Sequence, residues 1–187
     1  MNTSKIKSLL PLIVFVCGLS VLSKPAYYYM KGVCAQLMLE KAWNLTKRTG
    51  HSSKAWGWAD TLPVAKLSIS SIELNQIVLE GEINEALAFG PAIIESSLES
   101  KNKIIAGHRD SFFKKLKYIS KNDQIILEHA EGESVYAVEN IIIVSPFESK
   151  YITNNNRNSL ILITCFPFNF IGDAPKRFIV ECSLIGN

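Results

Sequence analysis

The stretch LILITCFPFNFIGDAPKRFIV, residues 160–180, holds two apolar, β-branched runs separated by a segment rich in Pro, Asn, Gly and Asp. Such a pattern reads as strand, loop and strand. The loop, residues 166–175, follows Cys165 at the end of the first strand, and Arg177 opens the second. A hairpin of this kind would set Cys165 and Arg177 side by side. Two readings of Cys165 stay open at this level. Unpaired cysteines are among the most buried residues and behave as small hydrophobes. A thiol at a loop mouth can instead be exposed and activated. Cys182, in the middle of FIVECSLI, is the structural contrast.

Outward from this hairpin the same texture recurs. VAKLSIS (64–70), IELNQIVLE (72–80), NKIIAGH (102–108), DQIILEHA (123–130), SVYAVENIIIVSP (134–146), SLILITCF (159–166) and RFIVECSLI (177–185) are short runs bounded by turn residues. Seven such strands argue a mainly β domain, an antiparallel barrel or sandwich. Two interruptions look helical. EINEALAFG (82–90) ends on Gly90-Pro91, and DSFFKKLKYI (110–119) opens on Asp110 as a cap, with Phe112, Leu116 and Ile119 on one face.

Before this domain, Lys5 and Lys7 precede an apolar run from Leu9 to Leu22, followed by Lys24-Pro25 and three tyrosines. The uncharged run falls short of the ~20 residues of a comfortable span, so a cleaved signal peptide is the rival of a retained anchor. Val21-Leu22-Ser23 is a mediocre cleavage site, and Tyr27–Tyr29 suit a membrane-water interface, which favours the anchor. The lysines then keep the N-terminus cytoplasmic and put the domain outside. The expected organisation is a signal-anchor over 1–30, a juxtamembrane helix and linker over 31–61, and the β domain over 62–187. Val33, Leu37, Leu39 and Trp43 fit a stalk helix, and Trp56 and Trp58 in the linker are expected to pack on the domain.

A net charge of +3, from 20 Lys+Arg against 17 Asp+Glu, carries no nucleic-acid footprint. The four cysteines form no CxxC pair, and Cys165, Cys182, His108 and His129 match no usual zinc spacing, so neither a metal nor another cofactor is expected. A Cys165–Cys182 disulfide remains a rival of a free thiol if the compartment is oxidising. His51 in the linker and His129 among charges read as solvated residues. His108 differs, because it ends NKIIAG just before Asp110, at a corner where a side chain can project into a cleft, although a histidine that only satisfies a loop hydrogen bond is an equal rival on local sequence. Cys165, His108 and Arg177 together would suffice for acyl transfer: a thiolate nucleophile, a proton donor for the leaving amine, and a permanent cation for the oxyanion.

IIAGHRDSFFKKL (104–116), LILITCFPF (160–168) and KRFIV (176–180) resemble the sortase family, membrane-anchored cysteine transpeptidases with a TLxTC strand, an upstream AGH and a downstream arginine. WGWADTLPVAKLSI and NQIVLEGEINEALAFGPA look like the opening of the class GN variety of marine proteobacteria, so the resemblance covers about residues 55–183. It implies a closed eight-stranded β-barrel with short helices. It also implies that Cys165 is the nucleophile, His108 the general acid/base and Arg177 the oxyanion and substrate-orienting residue, with Thr164 in the substrate groove. Ile161-Leu162 stands where the signature has Thr-Leu. The implied partners are a protein bearing a C-terminal LPxTG-like sorting signal, an amine acceptor and the membrane. A non-catalytic binding module and a hydrolase using water as acceptor are the competing expectations.

Overall fold

The computed structural model describes residues 3–94, 102–146 and 158–186. Two compact units divide it, Met1–Leu37 and Met38–Asn187. The first contains most of a long helix, α1 (Thr3–Thr49). Among the described residues no helix is long and apolar enough to cross a membrane. Several side chains of the expected span, including Leu9, Leu10, Leu12 and Ile13, lie outside those described.

The second unit is a closed barrel of β1 (Leu62–Ile69), β2 (Leu74–Glu80), β3 (Ala92–Ile93), β4 (Asn102–Ala106), β5 (Gln124–His129), β6 (Gly132–Val144), β7 (Ser159–Phe166) and β8 (Lys176–Gly186). Around the barrel they run β1-β2-β3-β4-β7-β8-β6-β5, and β5 closes onto β1. The inward residues alternate, as period-two strands require: Ala65, Leu67 and Ile69 on β1, and Leu160, Leu162 and Thr164 on β7. Side chains such as Ile105, Leu127, Val138 and Val180 fill the interior.

Three features depart from the sequence reading. The barrel is not wholly antiparallel, since β2 pairs with β3 and β4 pairs with β7 in parallel. The strand absent from that reading, β3, is only two residues long, too short to show alternation. It nevertheless joins β2 to β4. The segment 110–119 forms turns and a 3-10 helix (Lys114–Tyr118) with no side-chain cap, instead of a helix capped by Asp110. Its buried residues are Phe113, Leu116 and Ile119, a spacing of three that suits three residues per turn, and Phe112 is not among them. The other expected helix forms as α2 (Ile83–Phe89).

The last turns of α1 belong to the barrel unit. Leu39 and Trp43, expected on a stalk, are buried against Ile77, Leu79, Ala86 and Ala92. Trp56 packs edge-on against Phe89 with centroids 5.1 Å apart. Trp58, expected to pack as well, is 73% exposed.

Candidate active site

The parallel pairing of β4 with β7 decides where His108 lies. Ala106 pairs with Ile163, and the Gly107 amide donates to the Ile163 carbonyl at 3.1 Å. The Thr164 hydroxyl donates to the Gly107 carbonyl at 2.7 Å. With both backbone groups of Gly107 bound to β7, the next residues, His108 past the end of β4 and Cys165 on β7, leave the same end of the barrel. Cys165 in turn pairs directly with Arg177 across β7 and β8. Cys165 and Arg177 thus stand on neighbouring strands about 4.8 Å apart, and His108 lies two residues past the end of β4, the strand on the other side of β7. His108 is exposed, and Cys165 and Arg177 are half-buried. Among the described residues no side-chain hydrogen bond links the three, an arrangement common before substrate binds.

Local sequence explains the corner that carries His108. A Cβ at Gly107 would sit 2.6 Å from the Phe113 ring, so only glycine lets that ring close over the strand end. The His108 carbonyl then accepts from the amides of Phe113 at 3.0 Å and Ser111 at 3.4 Å, which folds AGHRDSFF back on itself.

Strand alternation corrects the expectation for Thr164. Cys165 faces outward, so Thr164 must face in, and it is 3% exposed. Its hydroxyl serves the Gly107 corner and is not available to a peptide in a groove. Arg177 donates through Nη1 to the carbonyls of Ala174 at 3.2 Å and Lys176 at 3.1 Å, so its fork is held by its own loop.

Phe166, next to Cys165 in the chain, Phe168 and Phe178 pack on one another, with Phe166 and Phe178 stacked and Phe168 edge-on to both. From there the loop reaches Arg109, which sequence reasoning passed over. Arg109 is buried and donates to carbonyls of Pro167, Phe170 and Gly172. These acceptors are backbone groups about 60 residues away, carrying no side-chain signature; the only local sign was an arginine immediately after His108. A cavity of about 300 Å³ opens here, bordered by Arg109, Lys114, Lys117 and Phe170. A larger one, about 440 Å³, is lined by Trp56, Trp58 and Phe89 and by none of the three chemistry-bearing residues.

All four cysteines are free. Cys182 pairs with Leu160, five positions from the Cys165–Arg177 pair, so the two thiols are roughly 16 Å apart along the hairpin and out of disulfide reach. Burial, and then the carboxylates of Glu139 and Glu181, push the Cys182 thiol up to about 12. It stays protonated and inert. Among the described residues no cluster of three or more His, Cys, Asp or Glu gathers to hold a metal.

Comparison with known proteins points to one family. The Sortase domain family model matches residues 67–185. Sortase D of Bacillus subtilis (strain 168) is 32% identical over 118 residues, covering 61% of this chain and 60% of that protein's length. Sortase A of Bacillus anthracis is 23% identical over 211 residues, covering 100% of this chain and 98% of that protein. Among solved structures, sortase A from Corynebacterium diphtheriae superposes with a TM-score of 0.62 at 21% identity, covering 70% of this chain and 64% of that one. The Clostridium perfringens sortase D5 transpeptidase gives 0.66 at 19%, covering 82% and 99%. At such identities the structures speak for the shared fold alone. The family match spans the barrel from β1 to β8, including the strand ends that carry His108, Cys165 and Arg177, and the chain belongs to the sortase family.

Proposed function

We propose that this chain is a cysteine transpeptidase that cleaves a C-terminal sorting signal of LPxTG type and transfers the acyl part to an amine. The observation that carries the reading is the Cys165–Arg177 pair, with His108 leaving the same barrel end just past the strand parallel to β7. The Cys165 thiolate attacks the scissile carbonyl, forming a C–S bond. Arg177 donates hydrogen bonds to the resulting oxyanion. The C–N bond breaks as His108 gives its proton to the leaving amine, leaving a thioester on Cys165. An acceptor amine then attacks that thioester, its proton passes to His108, and Cys165 is released. Each half-reaction returns the proton the other used, so no cofactor is needed.

The test is mass spectrometry of the full-length chain after incubation with LPxTG-type peptides. A thioester adduct on Cys165, absent in Cys165→Ala, is expected. No adduct with any peptide, together with biological activity retained in Cys165→Ala, would favour a non-catalytic binding module. Products unchanged by added amine would make the enzyme a hydrolase.

The N-terminal segment, with Lys5 and Lys7 before Leu9–Leu22, supports a retained single-pass anchor with the barrel on the extracytoplasmic side of the inner membrane. Membrane fractions resisting carbonate extraction, with the barrel cleaved by protease only once the outer side is opened, are the expected result. The class GN assignment rests on residues 56–69 and 75–92 by resemblance.

A further inference from the structure

Arg109 stands outside the reaction just described, yet it is 6% exposed, and a buried guanidinium persists only where its donors are met. Nη1 donates to the Pro167 carbonyl at 3.1 Å, and Nη2 to the carbonyls of Phe170 and Gly172, the latter at 3.2 Å. Nε faces the Asp110 carboxylate at 3.3 Å, and Asp110 itself is largely in solvent. The guanidinium carbon lies 5.8 Å from the centre of the Phe170 ring. Three carbonyls of one short loop therefore converge on a single cation, and that cation is the residue after His108.

The loop needs such a tether. Its start is held by Phe168, packed edge-on to Phe178 at 5.1 Å. Beyond it, Phe170 is partly exposed and Ile171 is 97% exposed. Two large apolar side chains held at the surface on the loop that follows Cys165 are poised for an apolar partner. A planar fork with five donors can hold several carbonyls at once, whereas a lysine ammonium is a single point.

We propose that Arg109 is a positioning residue that ties the loop 167–172 to the His108 corner and thereby holds Phe170 and Ile171 as an apolar lip selecting the peptide. The lip rests on the transpeptidase reading above; the tether does not. Arg109 acts through the loop, so its loss changes peptide binding and leaves the chemistry of Cys165 alone.

The experiment compares the full-length chain with Arg109→Lys, Arg109→Met and Ile171→Ser. Limited chymotrypsin cleavage after Phe170 reads the tether without any peptide. It is expected to be at least tenfold faster in both Arg109 variants and unchanged in Ile171→Ser. Kinetics with a panel of LPxTG-type peptides read the lip. KM is expected to rise about tenfold in all three variants with kcat within threefold, and the pH profile of Cys165 alkylation by iodoacetamide is expected to match that of the wild type. Unchanged cleavage overturns the tether. A fall in kcat at constant KM, or a shifted alkylation profile, overturns the positioning role, and a wild-type KM in Ile171→Ser overturns the lip. Should Arg109→Met fail to fold, Arg109→Lys, which keeps the charge, carries the same measurements. A wild-type chain that forms no adduct with any peptide refutes the transpeptidase and the lip together, and the cleavage rates still decide the tether.

Discussion

Replacing Thr164 by valine removes one hydroxyl and almost no volume. In the folded chain that hydroxyl donates to the Gly107 carbonyl at 2.7 Å, and Thr164 is 3% exposed, so water does not take its place. Leaving a buried carbonyl without its donor costs about 1–3 kcal/mol. For a domain of this size each kcal/mol lowers the melting temperature by about 2–4 °C, so Thr164→Val should melt roughly 2–12 °C below the wild type. Gly107 would keep its amide bond to Ile163 but lose the second tie to β7, and His108 follows directly. A loosened His108 corner should slow acyl transfer about tenfold, within the range seen for small misplacements of catalytic groups. Thr164→Ser keeps the hydroxyl and loses a buried methyl, at a cost of ~1 kcal/mol, and should retain most of the transfer rate. Calorimetry and single-turnover acylation on the three proteins give the comparison. The reasoning is refuted if valine transfers like the wild type while serine does not, because then the methyl packing and not the hydrogen bond sets the corner.

Gly107→Ala should cost about 1–3 kcal/mol by urea unfolding, since its Cβ would meet the Phe113 ring at 2.6 Å, and the cost should shrink in a Phe113→Leu background; additive costs would show that the two do not touch. The Cys182 thiol, raised by burial from 9.0 to about 12, is protonated in both states below pH 9; as pH rises the unfolded chain releases its proton first, so stability falls. The expected loss is ~1.4 kcal/mol per pH unit above 9, and Cys182→Ala should remove it; parallel pH profiles for the two proteins would contradict this. In the folded chain at pH 8 Cys182 should alkylate roughly a thousandfold more slowly than in urea, from its thiolate fraction alone. A chain beginning at Gly50 lacks Leu39 and Trp43, which are buried against Ile77 and Leu79, and should be roughly 5 kcal/mol less stable than one beginning at Met38; equal urea midpoints would show that the helix end contributes nothing.

The hairpin that pairs Cys165 with Arg177 was legible because it is local: two apolar runs and a loop of turn residues leave one antiparallel register. The inward direction of Thr164 was also legible from strand parity, since Leu160, Leu162 and Thr164 must share a face opposite Cys165, although the resemblance had assigned it to the groove. The spacing of Phe113, Leu116 and Ile119 was present in the sequence too, but a 3-10 period and a helical one differ little over so short a segment.

Two decisions belonged to the tertiary structure. Nothing local reveals that β4 lies parallel to β7, because that pairing joins segments more than fifty residues apart and is imposed by barrel closure. That pairing brings His108 to the end where Cys165 emerges. Nor could the clamp on Arg109 be read from sequence, because its acceptors are main-chain carbonyls that any residue supplies. Side-chain chemistry and strand period were written in the chain itself. Which strand ends meet, and where a loop's carbonyls point, follow only from closing the barrel, because a register between distant strands is set by burying all their inward faces at once.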